Sequence, residues 1–274
     1  MLFRSIPFIA LDNVIALPHL GASTFESQAN VSKVICENII EALTNNVFLD
    51  AVNLPFAISV DEAAKYRPYI ALAKRLGSFV GQWASKTVKE IKVTYRFTQM
   101  VDITPLSLTI AAEILKYSTP EVSLINIKDV LERLQINLLL VQSKKLQYDD
   151  SIKIVVDYQD GSQFELRGVI IAGQVPKVVD IMDCQIEMVP AGHVLVYENK
   201  NVPGVVGAVG TLLGQEHVNI SDIHLSQASP GENVIACIMV DQAVSEIVLT
   251  KVKKIERSEE RRVGKECRSR GAAD

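Results

Sequence analysis

Residues 193–240 read HVLVYENKNVPGVVGAVGTLLGQEHVNISDIHLSQASPGENVIACIMV, and this stretch decides the fold of the C-terminal part of the chain. Its apolar spacing predicts, in order, a strand at 193–197, a helix opened by Pro203 and Gly204, strands at 219–227 and 233–240, and a helix at 242–254. The order β-α-β-β-α is that of a ferredoxin-like unit, which a further strand completes. We expect that last strand to be missing from this chain.

The preceding zone, 59–190, has the pattern of a compact α+β domain. Helical spacing at 61–80 and a helix start at Thr104-Pro105 flank an alternating strand near 91–97. Two alternating runs then enclose Asp160-Gly161, which predicts a hairpin, and strand character continues over 177–186.

The first zone predicts one α/β unit. The apolar run 14–17 ends at Pro18 and is typical of a buried parallel strand, and the loop His19-Leu20-Gly21-Ala22 follows it. Ser23 and Glu26 form a capping-box pattern at the start of a helix over 24–45. The predicted fold class is therefore α/β followed by α+β, with domains at 6–58, 59–190 and 192–256.

Composition limits the possible functions. The 274 residues are 48% hydrophobic and carry a net charge of −4, without a basic stripe or a membrane-length apolar run, so neither nucleic acid nor a membrane is an expected partner. The four cysteines show no CxxC spacing and the histidines share no ligand spacing, so we expect no metal site. Reduced thiols and the lack of a secretory signal predict a cytoplasmic protein.

The two ends of the chain look foreign to the fold. Residues 257–270 read RSEERRVGKECRSR, a charge-dense stretch without apolar periodicity. RSEERRVGKEC resembles a translated sequencing adapter, and the residues LFRS at 2–5 are what its reverse complement would encode. We expect residues 1–5 and 257–274 to be non-native; the alternative is a solvated native tail.

Three segments together carry a family resemblance. PHLGAST at 18–24 resembles the last catalytic segment of the D-3-phosphoglycerate dehydrogenases, which belong to the D-2-hydroxyacid dehydrogenase superfamily. The zone 59–190 resembles their intervening domain in length and order. The zone 192–256 resembles an ACT domain, with Asn-x-Pro-Gly at 201–204 and Val-Asn-Ile at 218–220 as signatures.

The resemblance implies an NAD-dependent oxidoreductase that converts 3-phosphoglycerate to 3-phosphohydroxypyruvate at the first step of L-serine biosynthesis. It makes His19 the catalytic proton acceptor and places Leu20, Gly21 and Ala22 beside the coenzyme. On spacing alone a loop histidine after proline is more often structural. The Gly-rich phosphate turn of the family is missing, since Gly204, Gly207 and Gly210 are spaced as GxxGxxG within a predicted helix. We therefore expect a C-terminal portion of the enzyme without turnover of its own.

The resemblance also implies an amino-acid effector, usually L-serine, held by ACT loops that pair across a homo-oligomer. The residues implied in effector binding are Asn199, Asn201, Pro203, Gly204 and Asn219. The alternative is that these asparagines only satisfy turns.

Two other functions stay open for the chain as a whole. It could be a stand-alone module that binds an amino acid or dimerises, or part of another D-2-hydroxyacid dehydrogenase.

Overall fold

The computed structural model describes residues 11–15, 20–21, 23–45, 47–83, 86–99, 102–172, 175–226 and 233–255. Helices and strands follow one another as α1 (Phe25–Asn45), α2 (Val60–Trp83), β1 (Val88–Arg96), α3 (Ile103–Leu115), α4 (Ile127–Arg133), β2 (Asn137–Gln142), β3 (Ser151–Tyr158), β4 (Gln163–Ile171), β5 (Val175–Ile181), β6 (Cys184–Met188), β7 (His193–Lys200), α5 (Val205–Gln215), β8 (Ile220–Leu225), β9 (Asn233–Val240) and α6 (Glu246–Lys253). None of the helices in these ranges is long and apolar enough to span a membrane.

A six-stranded sheet in the order β2-β1-β3-β4-β5-β6 forms the body of the domain predicted at 59–190. β1 and β2 are parallel, and the other neighbours are antiparallel. Helices α2 and α3 lie against this sheet, where Leu72, Leu76, Ile91, Ile154 and Leu166 are almost fully buried. Each such side chain contributes about 2 kcal/mol of hydrophobic transfer free energy. The expected α+β class is confirmed.

Glycines let α2 approach α3 closely. A Cβ added at Gly77 would lie 2.7 Å from the Cβ of Glu113 and 2.9 Å from the carbonyl oxygen of Ile110. Real Cβ atoms do not approach other atoms so closely. The contact with Ile110 involves backbone, which can move only together with α3. The separation of these helices therefore depends on the missing side chain at position 77.

A three-stranded sheet in the order β7-β9-β8 lies in the domain predicted at 192–256. All of its pairs are antiparallel, and α5 and α6 cover one face. This arrangement of β-α-β-β-α is the ferredoxin-like topology that the hydropathy pattern predicts. Residues 256–274, where a fourth strand would have to follow, lie outside the described residues, so its expected absence stays a prediction.

The face of this small sheet that is not covered by α5 and α6 packs on the six-stranded sheet. Val194, Val196, Ile235 and Cys237 belong to the same buried cluster as the core of the six-stranded sheet. The last strand of that sheet, β6, lies against β8 and β9. The two sheets therefore share one continuous core.

Several local predictions need correction. The helix α1 is capped by Thr24, whose Oγ1 accepts the Ser27 amide at 3.1 Å, and not by Ser23. Val14 and Ile15 form no strand, and the Ile15 side chain is exposed; the rest of that predicted strand lies outside the described residues. The strand predicted over 177–186 is two strands, β5 and β6, separated by a turn. The hydropathy pattern did not predict α4 or β2.

Most of helix α1 is exposed, and an ion pair joins it to α2. Glu41 is its only buried residue. Arg67 of α2 donates from Nε and Nη2 to the two carboxylate oxygens of Glu41, both at 2.7 Å. This hydrogen bonding from Arg67 holds the pKa of Glu41 below its usual value. A bidentate pair of this kind fixes orientation as well as position.

The close approach of α2 and α3 predicts that Gly77→Ala destabilises the protein. We expect a loss of about 1–3 kcal/mol, because the new methyl group must displace the backbone of α3. The matched control is Gly207→Ala in α5, where an added Cβ meets nothing within 4 Å. That change should stabilise by about 0.5–1 kcal/mol through helix propensity. Urea unfolding followed by the emission of Trp83 compares the two, and equal effects would contradict the packing argument.

The ion pair predicts that Glu41→Gln loosens α1. We expect faster amide hydrogen exchange across α1 at neutral pH, whereas Glu37→Gln, at an exposed site on the same helix, should leave exchange unchanged. Because the folded pKa of Glu41 is lowered, its contribution is complete above about pH 4.3 and is lost as the pH falls through the folded pKa. Equal exchange in both variants would show that the pair does not hold the helix.

Candidate functional site

The predicted catalytic loop is described only in part. His19 and Ala22 lie outside the described residues, so the structure does not place the predicted proton acceptor. Leu20 is half exposed, and its carbonyl oxygen accepts the Ser23 amide at 3.1 Å at the entry to α1. A Cβ at Gly21 would meet no atom of another described residue within 4 Å.

The described residues do not form a dinucleotide site. Gly207 and Gly210 lie inside α5, and the strands that flank this helix, β7 and β8, are not neighbours because β9 lies between them. A dinucleotide cradle needs a Gly-rich turn between adjacent parallel strands. The chemistry of hydride transfer can therefore not be assigned to this part of the chain.

The second candidate site is the loop that joins β7 to α5. Gly204 caps the helix with a φ of +96°, a left-handed conformation that glycine adopts without strain. Pro203 precedes it, and the Val202 amide donates to the Lys200 carbonyl oxygen at 2.8 Å. The Asn-x-Pro-Gly pattern thus fixes a tight turn directly before the first turn of α5.

Asn199 lies at the base of this loop and is 2% exposed. Alternation along β7 places it on the helix-covered face, together with Leu195 and Tyr197. Its Nδ2 donates to the Lys200 carbonyl oxygen at 2.5 Å, but its Oδ1 is buried without a hydrogen-bond partner among the described residues. Buried acceptors of this kind are rare in native structures. Asn199 therefore has one hydrogen-bonding position left for a ligand or for water.

Asn201 and Asn219 are not brought together within one chain. Lys200 pairs with Asn233 at one end of the small sheet, and Ile220 pairs with Val240 at the other. Val240 also pairs with His193, so the loop and Asn219 are separated by the length of β7, about 23 Å at ~3.3 Å per residue. A single site that uses both asparagines needs a second chain.

Tyr197 is a feature of this region that the sequence patterns did not single out. Its ring is buried in the core between the small sheet and its helices, and burial raises its pKa to about 12. Its hydroxyl has no hydrogen-bond partner among the described residues. The strand pattern placed this tyrosine in β7 but gave no sign that its hydroxyl is buried.

No metal centre is found in the described ranges. No group of three or more His, Cys, Asp or Glu side chains there could hold a metal ion. His217 has a φ of +56° in the turn that ends α5. Cys237 is buried, whereas Cys36 is exposed on α1.

Comparison with known families agrees with this two-part architecture. The profile of the D-3-phosphoglycerate dehydrogenase intervening domain matches residues 65–182, and that of the ACT domain matches residues 193–257. The first match covers most of the six-stranded sheet and its helices, and the second covers the ferredoxin-like unit.

Curated relatives give the same result. The chain is 28% identical over 254 residues to D-3-phosphoglycerate dehydrogenase of Methanocaldococcus jannaschii, covering 91% of this chain and 47% of that protein. It is 27% identical over 245 residues to the enzyme of the same name from Bacillus subtilis, covering 88% and 46%. The chain thus spans about half the length of the curated relatives it matches. With an intervening-domain match followed by an ACT-domain match, the chain is similar to the D-3-phosphoglycerate dehydrogenases over most of its length.

Proposed function

We propose that this chain is the regulatory, C-terminal portion of an NAD-dependent enzyme that oxidises 3-phosphoglycerate to 3-phosphohydroxypyruvate, the first step of L-serine biosynthesis. The observation that carries the proposal is the similarity to D-3-phosphoglycerate dehydrogenases along 91% of the chain but only 47% of the relative. The intervening domain favours this activity over that of other D-2-hydroxyacid dehydrogenases. A biosynthetic role supports a cytoplasmic location.

The surface of α1 supports the presence of further polypeptide in the working enzyme. Six large apolar side chains of this helix are between 47% and 79% exposed: Val31, Val34, Ile35, Ile39, Ile40 and Leu43. Contiguous apolar surface on a helix normally packs against another element. This surface argues against a stand-alone module, and it fits a helix that lies on a catalytic domain.

Within that enzyme, His19 would take the proton from the substrate hydroxyl group, since a neutral imidazole accepts and returns protons near neutral pH. The bound NAD would accept the hydride, and the parts of the enzyme that this chain lacks would hold it. Leu20, Gly21 and Ala22 would line the coenzyme pocket, where the open backbone of Gly21 allows close approach. In that enzyme, polypeptide outside the described residues would hold His19 in orientation.

Effector binding is proposed at the β7–α5 loop, in a dimer of ACT domains. Two copies related by a two-fold axis can place Asn201 of one chain against Asn219 of the other, which a single chain cannot do. Pro203 and Gly204 fix the loop, and Asn199 offers a buried acceptor in Oδ1. An α-amino acid such as L-serine supplies an ammonium group for amide oxygens and a carboxylate for amide nitrogens.

The proposed effector site predicts a measurable response to L-serine. Calorimetric titration of the chain should show saturable binding, with one site per pair of Asn201 and Asn219. Either Asn201→Ala or Asn219→Ala should weaken binding at least tenfold, because each removes hydrogen bonds to charged groups of the ligand. The matched control is Asn233→Ala, at the sheet end but outside the loop, which should bind as the parent does. If the titration with serine gives no heat, the ACT domain would serve only in dimerisation.

The proposal that the catalytic centre needs further polypeptide predicts that the chain alone has no dehydrogenase turnover. NADH formation from 3-phosphoglycerate should not exceed that of His19→Ala, because the described residues form no nucleotide cradle. An NAD-dependent rate above that variant would show that the chain contains an active centre of its own.

A further inference from the structure

A cavity of about 600 Å³ lies where α2, α3 and α4 end, beside the start of β1 and the end of β3. This volume is within the usual range for sites that bind small molecules. Its lining residues all belong to the domain predicted at 59–190, and none comes from α1 or from the ACT domain. The cavity is therefore separate from the proposed catalytic loop at 19–22 and from the β7–α5 loop.

The buried part of this cavity is apolar. Five of its side chains are at most 7% exposed: Val80, Val88, Ile114, Leu115 and Ile136. They come from α2, β1, α3 and the segment between α4 and β2, so the packing of the core sets the shape of the cavity. Tyr117 and Leu134 line its mouth and are 45% and 39% exposed. Apolar surface at both depths favours a ligand with a hydrocarbon body.

Tyr117 is held in place at the mouth. Its hydroxyl oxygen lies 2.7 Å from Oγ of Ser78. Its ring lies against Gly81, where an added Cβ would be 2.6 Å from Cδ2 of the tyrosine. The missing side chain at position 81 thus leaves room for the ring beside α2, and the aromatic wall of the cavity is preformed.

Two charged side chains are among the described residues that line the cavity, and both are basic: Lys86 and Arg133. Lys86 already has partners, because its Nζ lies 2.6 Å from Oδ2 of Asp160 and donates to Oγ of Ser162 at 2.7 Å. Arg133 is exposed at the mouth, and its guanidinium group forms no ion pair or hydrogen bond with a described residue. The cavity therefore offers one unpaired guanidinium group beside its apolar interior.

We propose that this cavity binds a monocarboxylic acid with a compact aliphatic or aromatic body. Arg133 binds the carboxylate through two N–H groups, the geometry in which guanidinium recognises carboxylate. The body of the acid fills the apolar interior. Thr119 and Gln159 line the same cavity, and their side chains have no hydrogen-bond partner among the described residues, so they can donate to the ligand as well.

The surroundings of Arg133 favour a ligand with one negative charge over one with two. The helices α2, α3 and α4 all end at the cavity, and C-terminal carbonyl groups carry partial negative charge. Asp129 and Glu132 lie on the same helix as Arg133, and neither forms an ion pair with it. A carboxylate is balanced by Arg133, whereas a phosphate dianion adds a charge that no unpaired cation of the described lining balances. These charges argue against phosphate esters, including 3-phosphoglycerate, at this cavity.

The first test is calorimetric titration of the chain with 4-methylpentanoate, in parallel with 4-methylpentanamide, acetate and inorganic phosphate. We expect saturable binding of 4-methylpentanoate. The amide has the same body without the charge, and acetate has the charge with almost no body, so each should bind at least tenfold more weakly. Phosphate should also bind at least tenfold more weakly. Absence of binding by 4-methylpentanoate, or equal or tighter binding of any of the other three, would overturn the proposal.

The second test assigns the carboxylate contact to Arg133. Because Arg133 is exposed, we expect Arg133→Gln to fold as the parent does. This variant should bind 4-methylpentanoate at least tenfold more weakly and the amide as the parent does, so the preference for the acid disappears. Lys145→Gln is the control, since it removes one positive charge at an exposed site outside the cavity and should keep the preference. An unchanged preference in Arg133→Gln would contradict the proposed contact, whatever the outcome for serine binding and turnover.

Discussion

The structure depends on the packing of the small sheet between two partners. Its helices α5 and α6 cover one face, and the other face enters the core of the six-stranded sheet through Val194, Val196, Ile235 and Cys237. Without that contact, four apolar side chains would be exposed, at a cost of about 2 kcal/mol each. Burial in this interface also raises the pKa of the Cys237 thiol, which keeps it neutral and unreactive.

This shared core links the proposed effector loop to the rest of the protein. β7 carries Val194 and Val196 into the interface and Asn199 to the base of the loop. A ligand that shifted the end of β7 would therefore have to shift side chains packed on the six-stranded sheet, because close-packed cores do not deform continuously. The six-stranded sheet is thus in direct contact with the strand that leads to the proposed effector loop, and α1 is joined to α2 by the Glu41–Arg67 pair.

Local patterns predicted the elements whose signals are themselves local. Asp160-Gly161 marked the β3–β4 hairpin, and Pro203-Gly204 marked the start of α5. β2 was missed because NLLLVQ does not alternate, and the β5–β6 turn because Met182 and Asp183 adopt positive φ without a glycine to signal it. The separation of Asn201 from Asn219 depends on strand order, which residue spacing does not contain. His19 was found through family resemblance, and its surroundings remain a prediction.

The most direct test of the shared core is whether the two sheets unfold together. Urea unfolding can be followed by the emission of Trp83 in α2, the single tryptophan of the chain, and by hydrogen exchange of the β9 amides in the ACT domain. One core predicts that both probes report the same midpoint and the same free energy of unfolding. Loss of protection in β9 at a urea concentration where Trp83 still reports a folded environment would contradict it.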